Sequence, residues 1–418
     1  MIGKLITNKA KREFARTINF NEGENPAIPP GDSKQLRLLY VHIPFCEKLC
    51  PYCSFHRVVF DETLCRDYFN ALRKEVLLYK EKGFDFGGLY VGGGTPTILI
   101  DELEETLSLI RNCFQIREIS VETNPNHLTE TNISILKRAG VNRLSVGVQS
   151  FDDGLLKAMG RYDKYGSGKA ITERLQFTMG HFDTLNADMI FNFSSQTPEI
   201  LNRDLDILAG LKVDQVTYYP LMISDSTRKN IEKTLGRVDY HQEERFYRRI
   251  VERLTQHYRL SSAWCFSRKD SMIDEYIVDY DEYAGLGSGS IGYINGTCYA
   301  NTFNIRKYIN QVNRGEISLM AARHFTKNEQ MRYDFLMKLF GMELDIATLR
   351  EKYGADFCRH LWYDIFILFL IGGLRYRQGV FYLTNRGRYY WVIMMREFFI
   401  AVNNFRDFCL TETKASKI

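Results

Sequence analysis

Cys46, Cys50 and Cys53 lie within eight residues of one another in the run YVHIPFCEKLCPYCSFH. Thiolates are soft ligands for iron–sulfur clusters, and a loop of this length can wrap three of them around the corners of one cubane. No fourth cysteine follows: Ser54, Phe55 and His56 come next, and Cys65 falls in a segment that reads as a helix. A four-iron cluster held in this way keeps one iron open for chemistry. The alternative is a structural zinc site with His42 or His56 as fourth ligand, although zinc sites usually join two separated ligand pairs. Nine cysteines, with no charged-then-apolar leader at the start of the chain, argue for a reducing compartment and against disulfides.

The elements that must position this loop can be read from periodicity. Six apolar segments read as strands: Leu36–Ile43, Gly88–Val91, Glu118–Glu122, Arg143–Val148, Asn186–Phe193 and Gln215–Leu221. Helical patterns fall between them at Glu62–Glu81, Leu103–Cys113, Glu130–Ala139 and Ile200–Leu211, the last after a Thr197-Pro198 start signal. The alternation predicts an α/β fold, an incomplete (β/α)6 barrel with its ligands at the carboxyl ends of the strands. The cysteine loop follows the first strand directly. Gly92-Gly93-Gly94-Thr95-Pro96-Thr97 follows the second, and glycine there lets the backbone approach a ligand closely.

A chain of 418 residues exceeds one ordinary core. Residues 1–35, with Pro26, Pro29 and Pro30, read as an irregular arm, and 36–260 as the barrel. Residues 261–324 read as an extension carrying Gly285–Ile291 and a hairpin with Asn295-Gly296 at its turn. Residues 325–418 read as a helical, winged-helix-like domain, with a hairpin in Leu374–Leu383 and a closing helix from Thr384 to Phe405. The apolar run Ile365–Leu370 is far short of the roughly 20 residues that span a bilayer, and reads as a buried helix. A net charge of +4, dispersed along the chain, gives no footprint for nucleic acid. The expected location is cytoplasmic, with peripheral membrane contact open.

The cysteine loop resembles that of radical S-adenosylmethionine (SAM) enzymes, and YVHIPFC resembles the branch holding the oxygen-independent coproporphyrinogen III oxidases and the haem chaperones. The resemblance implies a [4Fe–4S] cluster on Cys46, Cys50 and Cys53, with SAM on its open iron and an external electron donor such as flavodoxin or ferredoxin. Position by position, it implies SAM contacts from Tyr40, from Gly93, Gly94 and Thr95, and from Glu122, Gln149, Arg161 and Asp188. It assigns no catalytic base.

The substrate motifs depart from both named groups. The oxidases carry Gly-Cys-Asn-Lys where this chain has Ser54-Phe55-His56-Arg57, and the stretch Met272–Ile277 lacks the histidine and tryptophan of the chaperones. A third branch, the class C methyltransferases, keeps the same core and uses two SAM molecules to methylate a planar ring. The expectation is therefore methylation of an sp2 carbon, with C8 of menaquinone as acceptor. Porphyrinogen oxidation and haem carriage are the alternatives, so the substrate is a quinone or a tetrapyrrole. Tyr389, Tyr390, Trp391, Phe398 and Phe399, near Arg396, are candidates for its pocket.

Overall fold

The computed structural model describes residues 2–17, 27–29, 31–32, 36–225, 227–271, 276–355 and 357–415. Six parallel strands form the frame: β1 Arg37–Ile43, β2 Phe86–Gly93, β3 Glu118–Thr123, β4 Arg143–Gln149, β5 Thr184–Phe191 and β6 Gln215–Pro220, neighbours in that order. All six predicted strands are present within two residues at each end. Their outward side chains, such as Leu39, Val41, Leu89 and Val121, pack into the main core. The helices that return the chain start where the sequence signals them. Asp61 accepts from Leu64 N–H ahead of the Glu62–Glu81 helix, and Thr197 accepts from Ile200 N–H ahead of Pro198–Leu211.

The sheet does not stop at six strands. Beyond β6 it gains Cys265–Ser267 and Arg259–Leu260. Beyond β1 it gains Tyr283–Leu286, parallel to β1, and then the antiparallel strands Ile291–Ile294, Thr297–Asn301 and Leu319–His324. Among the described residues β1 and β6 do not pair with each other, so the barrel is open as expected. The hairpin turn lies at Asn295 and Gly296, with φ of 48° and 72°, the positive values that a two-residue turn of this twist needs.

Three expectations are corrected. Residues 2–17 of the supposed irregular arm form a helix, Ile2–Thr17, laid along the closing helix Asn385–Ala415, with Phe14 edge-on to Phe398 at 5.5 Å. Pro29 is irregular, as expected, while Pro26 and Pro30 lie outside the described residues, as do Met272–Glu275. The apolar run 365–370 sits in the helix Phe357–Leu370, but that helix buries only Phe357 and Leu361 and exposes Trp362, Phe366 and Leu370. A run of apolar residues reports composition and cannot say which side another element will cover. The closing helix also extends beyond Phe405. The winged-helix-like outline is present: the hairpin Leu374–Arg377 and Val380–Leu383 gains Glu343–Asp345 as a third strand beside the helices.

Candidate functional site

One cavity of about 390 Å³ opens at the carboxyl ends of β1–β5. Cys46, Cys50, Cys53, Tyr40, Gly93, Gly94, Glu122, Gln149, Arg161 and Asp188 all line it. Of the residues predicted for cluster or SAM only Thr95 stands behind the wall, where its hydroxyl donates towards Cys46 Sγ at 3.7 Å. Strand register explains the gathering: Tyr40 pairs with Tyr90, Ile43 with Gly93 and Gly147 with Asp188. Side chains two apart on a strand share a face.

Glu122 organises the β2 end. Its carboxylate accepts from Tyr90 O–H at 2.9 Å and from Gly93 N–H at 3.0 Å. A Cβ on Gly94 would stand 2.6 Å from Phe45 O and 3.0 Å from Cys46 Sγ, so glycine is required for the close approach to the cysteine loop. Gln149 has φ of 73° at a register shift between β4 and β5, which turns it out of the strand at the cavity.

Arg161 is buried. Its Nη2 donates to Gly147 O at 2.5 Å and Asn124 Oδ1 at 3.1 Å, its Nη1 points towards Cys50 Sγ at 3.7 Å, and its Nε has no protein partner. Sequence reasoning missed Asn124, whose Nδ2 also donates to Thr95 Oγ1 at 3.0 Å, coupling the glycine run to the arginine. The Asn-Pro pair closing the third predicted strand was its only signal.

His42 is a second omission. Burial holds its pKa down at about 4, so the ring is neutral. Nε2–H donates to His56 O at 2.8 Å, which leaves Nδ1 to accept from Tyr40 O–H at 2.9 Å and fix the tyrosine in the cavity. With both nitrogens occupied, His42 is not available to zinc. Among the described residues no three His, Cys, Asp or Glu side chains surround a single point as one metal ion requires. Three cysteines at one cavity end without a one-ion geometry fit a cluster, whose corners separate its ligands. Burial pushes the Cys46 thiol up to about 11, so cluster binding there must release its proton.

The opposite wall belongs to other elements. Tyr276, Tyr283, Phe325 and Tyr333 line it from the extension and the helix that follows, and Phe398, Phe399, Val402 and Arg406 from the closing helix. Tyr40, Tyr90 and Tyr276 form a three-ring cluster, with Tyr40 6.1 Å from Tyr90 and 5.9 Å from Tyr276 and those two 5.5 Å apart. The candidate aromatic group therefore divides. Phe398 and Phe399 reach the cavity, whereas Tyr389, Tyr390, Trp391 and Arg396 do not. Arg396 is buried between Glu243 and Glu397, and Trp391 Nε1 donates to Leu336 O at 2.9 Å. These four residues pack the interior.

Residues 40–166 match the family model of the radical SAM superfamily. The heme chaperone HemW of Lactococcus lactis is 31% identical over 284 residues, 65% of this chain and 73% of that protein. The anaerobic coproporphyrinogen III oxidase 1 of Cereibacter sphaeroides is 27% identical over 362 residues, covering 80% and 77%. Among solved structures, the coproporphyrinogen III oxidase HemN of Escherichia coli, described as a radical SAM enzyme, superposes with a TM-score of 0.74 at 22% identity, covering 92% of this chain and 93% of that one. The chain belongs to the radical SAM superfamily, in the family of HemW and the oxygen-independent coproporphyrinogen III oxidases, and its cofactors are a [4Fe–4S] cluster and SAM.

Proposed function

We propose that this protein is a radical SAM enzyme acting on a tetrapyrrole, with oxidation of a porphyrinogen of the coproporphyrinogen III kind as its reaction. The observation that carries the reading is one shared cavity, in which every residue proposed for cluster or SAM, save Thr95, faces an aromatic wall large enough for a planar ring. The names of the relatives supply the tetrapyrrole. The earlier expectation of menaquinone methylation becomes the second reading. It retains one favourable observation, the uncharged tyrosine and phenylalanine lining beside Tyr40, which suits a ring without carboxylates.

In this reading Cys46, Cys50 and Cys53 hold the cluster. Bound together, cluster and SAM supply one-electron cleavage and hydrogen abstraction from carbon, given an electron donor of the flavodoxin or ferredoxin class. The chain's own residues position and enclose. Glu122, held by Tyr90 and Gly93, offers its carboxylate to an ammonium or ribose hydroxyls, and Asp188 acts at the β5 end. Arg161 has its Nε available for a carboxylate. Tyr40, oriented by His42, lies where the SAM residues meet the aromatic wall, packed against Tyr276. Enclosure matters because a short-lived radical must form beside its target and away from water.

The test is anaerobic incubation of the reconstituted protein with methyl-labelled SAM, a reductant, and coproporphyrinogen III, haem or menaquinone separately, read by mass spectrometry. Loss of carboxyl groups from the porphyrinogen is the expected outcome. Labelled methyl on menaquinone would instead establish the second reading, and stoichiometric haem binding without turnover would make the protein a carrier.

A further inference from the structure

Two guanidinium groups stand at the closing-helix end of the cavity, and neither has an acidic partner. Arg57, directly after the cysteine loop, donates through Nη2 to Cys50 O at 2.5 Å and Cys53 O at 2.7 Å. Its Nη1 is buried without a protein partner. Arg406, from the closing helix, is only 6% exposed. Its Nη1 donates to Ser54 O and to Asn403 Oδ1, its guanidinium stands 5.6 Å from the Phe55 ring centroid, and its Nε is likewise buried and unpartnered. Both arginines line the cavity. Among the described residues no carboxylate lies within ion-pair distance of either. Burial and the like charge of Arg57 work against the Arg406 cation, while Cys53, then Tyr40 and Asp407, favour it from a distance.

The cluster thiolates supply negative charge nearby, but they leave Arg57 Nη1 and Arg406 Nε without an acceptor, and a buried guanidinium N–H without an acceptor is unfavourable. Backbone carbonyls fix one face of each guanidinium and leave an N–H for an incoming acceptor, the geometry in which arginine recognises carboxylate. Arg161 also keeps an unpartnered Nε, but it is held by Gly147 and Asn124 at the barrel wall, where its proposed role is on the cofactor side. We infer that Arg57 and Arg406 form a carboxylate-binding end of the substrate cavity, so that the planar substrate is one that carries an acidic side chain directed at the Ser54–Asn403 junction. The inference narrows the tetrapyrrole reading and rests on it for the choice of the first probe.

The experiment compares acid with ester on the full-length, cluster-reconstituted protein. Haem and haem dimethyl ester form one pair, 2-naphthoate and methyl 2-naphthoate the other, titrated by absorbance and tyrosine fluorescence. The acid of at least one pair should bind roughly tenfold or more tighter than its ester, the scale of a charge-assisted hydrogen bond. Arg406→Gln and Arg57→Gln should each bring the acid close to its ester while ester affinity and the cluster spectrum stay as they were. Arg406→Lys and Arg57→Lys should keep part of the preference. Equal binding of acid and ester in both pairs, or variants that weaken both alike or alter only the cluster spectrum, would overturn the assignment and make these arginines neutralisers of the cluster thiolates. If neither haem compound binds while naphthoate keeps its Arg406-dependent preference, the tetrapyrrole reading falls and the carboxylate site stands.

Discussion

The cavity has two unlike walls. The barrel wall is built from strand ends and the loops after them, held by hydrogen bonds between residues far apart in sequence, as in Glu122 to Gly93 and Arg161 to Gly147. The closing wall is built from the closing helix, the helix Lys327–Phe340 and the aromatic side chains of the extension, held by ring packing such as Phe398 on Phe399 and Tyr276 on Tyr283. A polar wall of fixed backbone suits a cofactor whose chemistry is constant. An aromatic wall on a helix can change shape by substitution without disturbing the sheet, which suits a substrate that differs among relatives.

The sharpest way to break this comparison is at the cluster. Cys50→Ala should remove the cluster absorbance and abolish SAM cleavage with every substrate, and a normal spectrum with full cleavage would remove the barrel wall from the chemistry. Next in size, Glu122→Gln should weaken SAM binding by roughly 10- to 100-fold, the range of a lost charged hydrogen bond, with binding of the planar ligand little changed. On the other wall, Val402→Trp puts bulk into the cavity and should raise the substrate KM by about tenfold, a steric cost near 1.4 kcal/mol. Cleavage of SAM without substrate should then be unaffected. Loss of SAM cleavage in this variant would show that the two walls do not divide the labour.

The smallest effect concerns the join between the walls. Glu75, on the Glu62–Glu81 helix, accepts from Tyr308 O–H at 2.6 Å and Gly287 N–H at 2.8 Å, tying the late glycine run to the barrel. Burial raises its pKa from 4.5 to about 7. The folded chain therefore holds a proton there that the unfolded chain releases near 4.5. Stability should fall as pH rises from 4.5 to 7, by about 3 kcal/mol at most, and then level off. Asp204, also raised to about 7 by burial, titrates in the same window. Thermal unfolding across that range should show a shallower slope in Glu75→Gln, with the Asp204 share remaining.

Much of the barrel wall was legible because its signals are local. Strand period, glycine runs and a three-cysteine spacing are properties of short stretches, and most predicted site residues lie in a predicted strand or in the loop that follows one. What escaped was relational. Nothing around Asn124 shows that it bridges Thr95 and Arg161, and nothing around His42 shows that its ring is neutral and orients Tyr40. Tyr389, Tyr390, Trp391 and Arg396 look as suited to a flat substrate as Phe398 and Phe399, yet a helix rotates by about 100° per residue, so neighbours in sequence face different surroundings.

By itself the sequence determined the cofactor chemistry of this protein and the order of its barrel strands, because ligand spacing and hydrophobic period are written within segments a few residues to a few turns long. The tertiary structure alone decided which aromatic residues meet the cavity, that the first residues form a helix along the last, and that Arg57 and Arg406 stand together without an acid. Those outcomes depend on the packing of elements as far as 389 residues apart, as in the bond from Arg396 to Thr7, and no local pattern encodes the face that a distant element will cover.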